Sequence, residues 1–125
     1  MRLTKYFVLI IILLLMPLFS NLVYYVDAGA LAKDDNELVA VLPSSLQYVN
    51  SQAFAGTNIE AVVFYNKLLY VGEKAFYGTD LGDVFIPESI QFISSNSFPK
   101  DTIIHGVKGG YAETWANRNG HRFVD

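Results

Sequence analysis

Apolar residues recur along this chain at a spacing of 22 residues. Residues 37–58, 59–80 and 81–102 align beneath one another without a gap, and we name them repeats 1, 2 and 3. A unit of this length cannot enclose a core of its own, so each repeat is expected to lay its apolar side on the next. The residues predicted to form this repeat core are Leu42, Leu46, Val49, Phe54, Phe64, Leu68, Val71, Phe76, Ile86, Ile90, Ile93 and Phe98.

The start of each repeat alternates in the manner of a β-strand. In repeat 1, Ala40 and Leu42 are predicted to point toward the core and Val41 to point outward, and the alternation recurs in repeats 2 and 3. Stacked strands lie about 4.8 Å apart, so three repeats form a body only about 15 Å long. The pattern predicts a short solenoid of about three 22-residue coils with a parallel β-sheet, mostly β with loops.

The segment after the repeats, residues 103–125, does not follow the 22-residue pattern of apolar residues. Ile103 and Ile104 continue a strand, and glycines then turn the chain. The stretch from Tyr111 to Asn119 predicts a short helix, with Gly120 just past its end. The final HRFV returns in an extended form, so residues 103–125 are predicted to be a C-terminal cap of short helix plus strand.

The first 30 residues have the pattern of a signal peptide. Arg2 and Lys5 precede an uncharged apolar run from Phe7 to Phe19, and Ala28-Gly29-Ala30 offers small residues for cleavage after Ala30. If the apolar run is extended to residue 26, it reaches 20 residues and about 30 Å, enough for an uncleaved membrane anchor. Both alternatives predict an exported chain, either secreted or held at the cell surface.

The domain organisation follows from these boundaries. Residues 1–30 are the predicted signal peptide or N-terminal anchor, and residues 31–37, rich in charge, are a flexible lead-in. The repeats occupy residues 38–102 and the cap residues 103–125. No comparable cap precedes repeat 1, so its open edge predicts self-association or partner docking through the uncapped N-terminal coil.

Composition and charge exclude several classes of function. The chain has no cysteine, which removes disulfides, thiolate metal sites and a cysteine nucleophile. Its net charge is −3, without the clustered Lys and Arg that nucleic-acid binding requires. His105 and His121 lie 16 residues apart, with no second ligand at zinc spacing. We expect no catalytic residues, no metal and no cofactor, and therefore no enzyme.

Two columns of aromatic and apolar residues lie outside the predicted core. The first is aromatic in all three repeats, and the second contains Val41 and is joined by Tyr65. Such columns can stack between repeats and stiffen them. Alternatively, exposed rings with hydroxyl groups form a surface that anchors protein or glycan partners. The candidate partner-binding residues are Val63, Tyr65, Phe85, Tyr48, Tyr70 and Phe92.

Two stretches carry a family resemblance. VLPSSLQYVNSQAFAGTN and VFIPESIQFISSNSF share the order apolar-Pro-x-Ser-apolar-x-x-apolar, followed by a small residue and Phe. They resemble the BspA-like (TpLRR-type) leucine-rich repeats of bacterial surface proteins. The resemblance covers Leu38 to about Phe98 and reaches Val124 in the cap. In repeat 2 the sequence departs from this pattern, because Tyr65 replaces the proline.

The resemblance implies a leucine-rich repeat solenoid and a role in surface adhesion. The expected function is a non-enzymatic, secreted or surface-exposed binding module for an unknown protein or glycan partner. The alternative is a structural terminal fragment, or a self-assembling repeat piece with no separate ligand. Fold alone does not choose between them.

Overall fold

The computed structural model describes residues 24–26 and 38–125. The predicted lead-in and most of the predicted leader therefore lie outside the described residues. The strands are β1 (Tyr24–Val26), β2 (Leu38–Val41), β3 (Leu46–Val49), β4 (Ile59–Val63), β5 (Tyr70–Val71), β6 (Asp83–Phe85), β7 (Phe92–Ile93), β8 (Ile103–His105) and β9 (Phe123–Val124), and the helix is α1 (Tyr111–Asn119).

The strands form three short parallel sheets. One has the order β1-β3-β5-β7, the second pairs β2 with β4, and the third has the order β6-β8-β9. Tyr48 pairs with Tyr70, and Tyr70 with Phe92, so equivalent residues of successive repeats lie side by side. The predicted mostly-β architecture of short parallel sheets with a short helix is confirmed for the described residues.

The interior is built from the columns of the repeat. All twelve residues predicted to form the repeat core are buried. Phe54 and Phe76 stack with ring centroids 5.0 Å apart, and Phe76 and Phe98 stack at 5.3 Å. Rings from one column are therefore piled from repeat to repeat, as expected for units that cannot bury an apolar face alone.

Small residues let the repeats approach closely. Ala53 and Ala75, each next to a stacked phenylalanine, are fully buried. A Cβ atom added at Gly72 would lie 2.5 Å from the main-chain nitrogen of Ser51. Because this contact is with backbone, only glycine allows repeat 2 to lie against repeat 1 at this point.

The N-terminal strand β1 gives a result that sequence reasoning did not anticipate. Tyr25 pairs with Tyr48, and Val26 pairs with Val49. The sequence pattern places these residues in the predicted leader and predicts an open edge for repeat 1. β3 does not have that open edge, because an aromatic and β-branched segment suited to a strand lies along it. Within the described residues, β2 pairs with β4 alone.

The C-terminal cap closes the other end of the four-stranded sheet. Helix α1 ends at Gly120, whose φ of 74° is the left-handed conformation common at helix ends. The Tyr111 hydroxyl accepts a hydrogen bond from the main-chain N–H of Ile93 at 3.0 Å. Trp115 lies against Phe98 with ring centroids 5.7 Å apart. The cap therefore supplies a hydrogen-bond partner to β7, the last strand of that sheet, and places a further aromatic ring at the end of the phenylalanine column.

Candidate partner-binding face

The outward side chains of β2, β4 and β6, together with Tyr65 just after β4, form an exposed apolar surface. We name Val39, Val41, Val63, Tyr65 and Phe85 the outer face. They are five of the nine exposed large apolar or aromatic side chains in the part of the chain described. Because side chains alternate along a strand, the residues between them turn inward to the core.

The outer face runs from one repeat to the next. Val41 and Val63 are register partners in β2 and β4. Phe85 occupies the same column in β6, where it is 54% exposed, whereas its neighbour Val84 is 2% exposed. Val63 is 39% exposed. The exposed apolar side chains therefore recur from repeat to repeat and form one surface. Single exposed apolar residues, by contrast, are ordinary on proteins and need no explanation.

Tyr65 adds an aromatic ring where the other repeats have proline. The carbonyl oxygen of Tyr65 accepts a hydrogen bond from Leu68 at 3.1 Å, as Pro43 accepts one from Leu46 at 3.0 Å. Both prolines of this column are buried, but Tyr65 is 43% exposed. Repeat 2 thus keeps the turn and gains an exposed ring with a hydroxyl group.

A polar pair borders the outer face beyond Phe85. Phe85 pairs with His105 across β6 and β8. The Nε2 atom of His105 lies 3.3 Å from a carboxylate oxygen of Asp83. The Asp83 side chain is 65% exposed, so water screens this contact. The apolar surface therefore has a polar pair at one end, and polar residues commonly border the apolar centre of protein interfaces.

The other candidate column packs largely against itself. The rings of Tyr48 and Tyr70 lie 6.4 Å apart, and those of Tyr70 and Phe92 stack at 5.4 Å. Tyr48 and Tyr70 are half-buried, and Phe92 is 50% exposed. Because Tyr70 and Phe92 stack and Tyr48 lies tilted beside Tyr70, this ladder joins successive repeats.

One of the two histidines packs inside the protein. His121 is buried, stacks on Trp115 at 5.0 Å and donates from Nδ1 to the carbonyl of Thr102 at 2.9 Å. Across residues 24–26 and 38–125, His, Asp and Glu form no group of three that could hold a metal ion. A cavity of about 20 Å³ beside Pro87 and Tyr111 has room for about one water molecule.

Two features were missed by sequence reasoning. Val39 is 51% exposed beside Val41, but its column continues as Ala61 and Asp83, so periodicity does not mark it as apolar. The contact of Tyr111 with the edge of β7 joins residues 18 apart in sequence. No repeat column contains that pair, and only the docking of α1 brings the two together.

Comparison with known proteins identifies the family. Residues 29–108 match the BspA type leucine rich repeat region (6 copies), and this match covers more than half of the chain. The chain belongs to the BspA-type leucine-rich repeat family. The match confirms the resemblance read from VLPSSLQYVNSQAFAGTN and VFIPESIQFISSNSF. Neither a curated protein nor a solved structure matches the chain.

Membership of this family indicates a general class of function and a typical location. BspA-type leucine-rich repeat domains are generally non-enzymatic and suggest a protein-interaction module. Members are typically secreted or surface proteins. In the described segments, no helix combines the length and the apolar character needed to cross a bilayer.

Proposed function

We propose that this BspA-type repeat protein is a non-enzymatic, adhesion-like binding module. In this proposal it is secreted or displayed at the cell surface and holds a protein or glycan partner against the outer face. Repeats 1 to 3 are the coils of a short solenoid, and their shared sheet side presents that face.

The exposure of Phe85 beside the buried Val84 is the observation that carries the proposal. A partner that covers the rings of Phe85 and Tyr65 would remove apolar surface from water, at about 25 cal/mol for each Å². The Tyr65 hydroxyl supplies a hydrogen-bonding group at the same place. Aromatic residues of this kind are enriched among the side chains that dominate binding energy.

Export of the chain is supported by the charged start and apolar run of residues 2–19 and by the typical location of the family. The acidic net charge of −3 and the lack of a basic cluster favour protein or glycan partners over nucleic acid. A non-enzymatic role is supported by the family, whose repeat domains are generally non-enzymatic.

Paired variants test the outer face. The protein with Tyr65→Ala and Phe85→Ala should capture at least about tenfold less of a surface partner, because two aromatic anchors are lost. The matched control is Tyr77→Ala. Tyr77 is 64% exposed and lies under the Lys74 ammonium group, 5.8 Å from ring centroid to Nζ, outside the outer face. Far-UV circular dichroism checks that all variants fold.

The assay separates the two partner classes. Immobilised wild-type protein is exposed to solubilised surface proteins and, separately, to an array of purified glycans. Each captured species is then measured again with the double variant and with the Tyr77→Ala control. Equal capture by the wild-type protein and the double variant would reject the outer face as the site.

A second candidate is the structural alternative, in which the chain is a terminal or self-assembling repeat piece with no separate ligand. Among the described strands β2 pairs with β4 alone, and this favours the alternative, because an open strand edge can accept another chain. Under this alternative, the Tyr65→Ala and Phe85→Ala variant leaves assembly unchanged. The capture assay distinguishes the two functions, because this alternative predicts that the wild-type protein captures neither a protein nor a glycan.

A further inference from the structure

The unpaired side of β2 is the start of a more specific inference. Among the described residues, β2 pairs with β4 only. Its sequence is Leu38-Val39-Ala40-Val41, without charge or proline. Edge strands of soluble proteins are usually protected by charged residues, proline or a covering segment. β2 carries neither of the first two, and within the described residues no strand covers it.

The main-chain N–H and carbonyl groups of β2 that face away from β4 can be assigned. The N–H of Leu42, just after the end of β2, donates to the carbonyl of Val63 in repeat 2 at 3.3 Å. Main-chain groups alternate sides along a strand, so Ala40 faces β4 in the same way. Val39 and Val41 therefore direct their N–H and carbonyl groups toward the opposite side of β2, where no described strand lies and which we name the free edge. Their side chains lie on the outer face, 51% and 40% exposed.

We propose that β2 pairs antiparallel with β2 of a second copy of this chain, about a twofold axis at Ala40. This register places Val39 opposite Val41 of the second copy, and the reverse pair follows by symmetry. Each of these pairs exchanges both main-chain hydrogen bonds, as in the hydrogen-bonded pairs of an antiparallel ladder. Ala40 meets its own copy on the buried side, where its small side chain lets the two backbones come close.

The absence of charge in β2 allows a second copy to be the occupant. Each chain carries a net charge of −3, yet β2 is uncharged, so two copies can meet here without like charges facing across the strands. The apolar side chains of the two edges are matched in size, since valine faces valine. A strongly charged partner strand would gain no ion pair from β2 itself.

The other ends of the sheets are less suited to pairing. β1 lies along β3, and the side chains of Tyr111 and Trp115 bond to Ile93 at the end of that sheet. β9 has only two residues, flanked by exposed Arg122 and Asp125. β2 is thus the longest uncharged edge among the described strands.

The size of the contact predicts a weak, reversible dimer. Four residues from each copy bury far less than the roughly 1,200 Å² of total surface at the lower end of stable complexes. Association should therefore be visible at high protein concentration and reverse rapidly on dilution. Pairing across β2 would also join the two outer faces into one surface.

Sedimentation of the full chain over a concentration series tests the proposal. The wild-type protein should show a monomer–dimer equilibrium. Val39→Lys should raise the dimer dissociation constant about tenfold or more, because lysine protects an edge strand and faces valine in the dimer. Val41→Pro should do the same, since it removes an edge N–H while leaving the bonds to β4 intact.

A charge pair tests the register itself. Adding Val41→Glu to Val39→Lys in the same chain places lysine opposite glutamate twice across the twofold axis, so dimerisation should recover and become sensitive to salt. A register with residue 39 facing its own copy would bring two lysines together, and no recovery would occur. Failure of the double variant to recover would overturn the proposed pairing.

Val63→Lys is the matched control, because it introduces the same side chain on the outer face but not on the free edge. Its dissociation constant should stay near that of the wild-type protein, and an equal loss would place the contact on the face. Far-UV circular dichroism and urea unfolding establish that each variant is folded. A wild-type protein that is monomeric at every concentration, for example because another segment of its own chain covers β2, overturns the proposal.

Discussion

Trp115 donates its indole N–H to the main-chain carbonyl of Ile93, with 2.9 Å between Nε1 and the oxygen. The main-chain N–H of the same Ile93 donates to the Tyr111 hydroxyl. Ile93 lies in β7, the last strand of its sheet. Two side chains of α1 therefore replace the ladder that a further strand would provide, and the buried Trp115 ring also covers the end of the phenylalanine column.

Substitution of Trp115 should destabilise the protein strongly. Trp115→Phe keeps an aromatic ring but leaves the Ile93 carbonyl without its donor, so the free energy of unfolding should fall by about 1–3 kcal/mol. Tyr111→Phe removes a hydroxyl at a 38% exposed residue, where water can replace it, and should cost less. Urea unfolding of both variants checks this order, and an unchanged midpoint for Trp115→Phe would contradict it.

The phenylalanine column should show a graded response. Phe76 stacks on rings on both sides and meets Phe64 edge-on at 5.9 Å, whereas Phe54 stacks, among the described rings, on Phe76 alone. Aromatic pairs add about 0.5–1.5 kcal/mol beyond burial. Phe76→Leu should therefore lower the free energy of unfolding by about that much more than Phe54→Leu. Equal losses in denaturant unfolding would show that ring stacking contributes little.

Two glycines provide a matched test of close approach. Gly72→Ala would press a Cβ against main-chain atoms of Ser51 and Asn50, so it should cost about 1–3 kcal/mol. A Cβ at Gly82 would meet no atom within 4 Å, so Gly82→Ala should be neutral or slightly stabilising. Thermal unfolding of the two variants measures the difference. Similar melting temperatures would show that repeats 1 and 2 do not contact at Gly72.

The sequence predicted those features that repeat with the period. A buried column such as Phe54, Phe76 and Phe98 is visible because each repeat must place an apolar side chain at the same contact. The helix was also predicted within its observed bounds, because Ala112, Trp115 and Ala116 share one helical side and Gly120 suits the residue just past its end.

Features that depend on single contacts were not predictable. The pairing of β1 with β3 is not visible in the sequence, because the apolar residues of β1 suit a signal peptide as well as a strand, and periodicity alone does not separate these. The strands that carry the outer face are divided into a β2–β4 sheet and a β6–β8–β9 sheet. The aligned positions of the repeats do not predict this division. The exposure of Val39 depends on which neighbouring residues cover it, and composition does not report this.

The central claim is that equivalent residues of successive repeats stack in one continuous interior. Selective isotope labelling of phenylalanine rings and measurement of nuclear Overhauser effects test it most directly. The account predicts cross-peaks between Phe54 and Phe76 and between Phe76 and Phe98, with none between Phe54 and Phe98. Cross-peaks that join Phe54 directly to Phe98, or the absence of both predicted contacts in the folded protein, would contradict it.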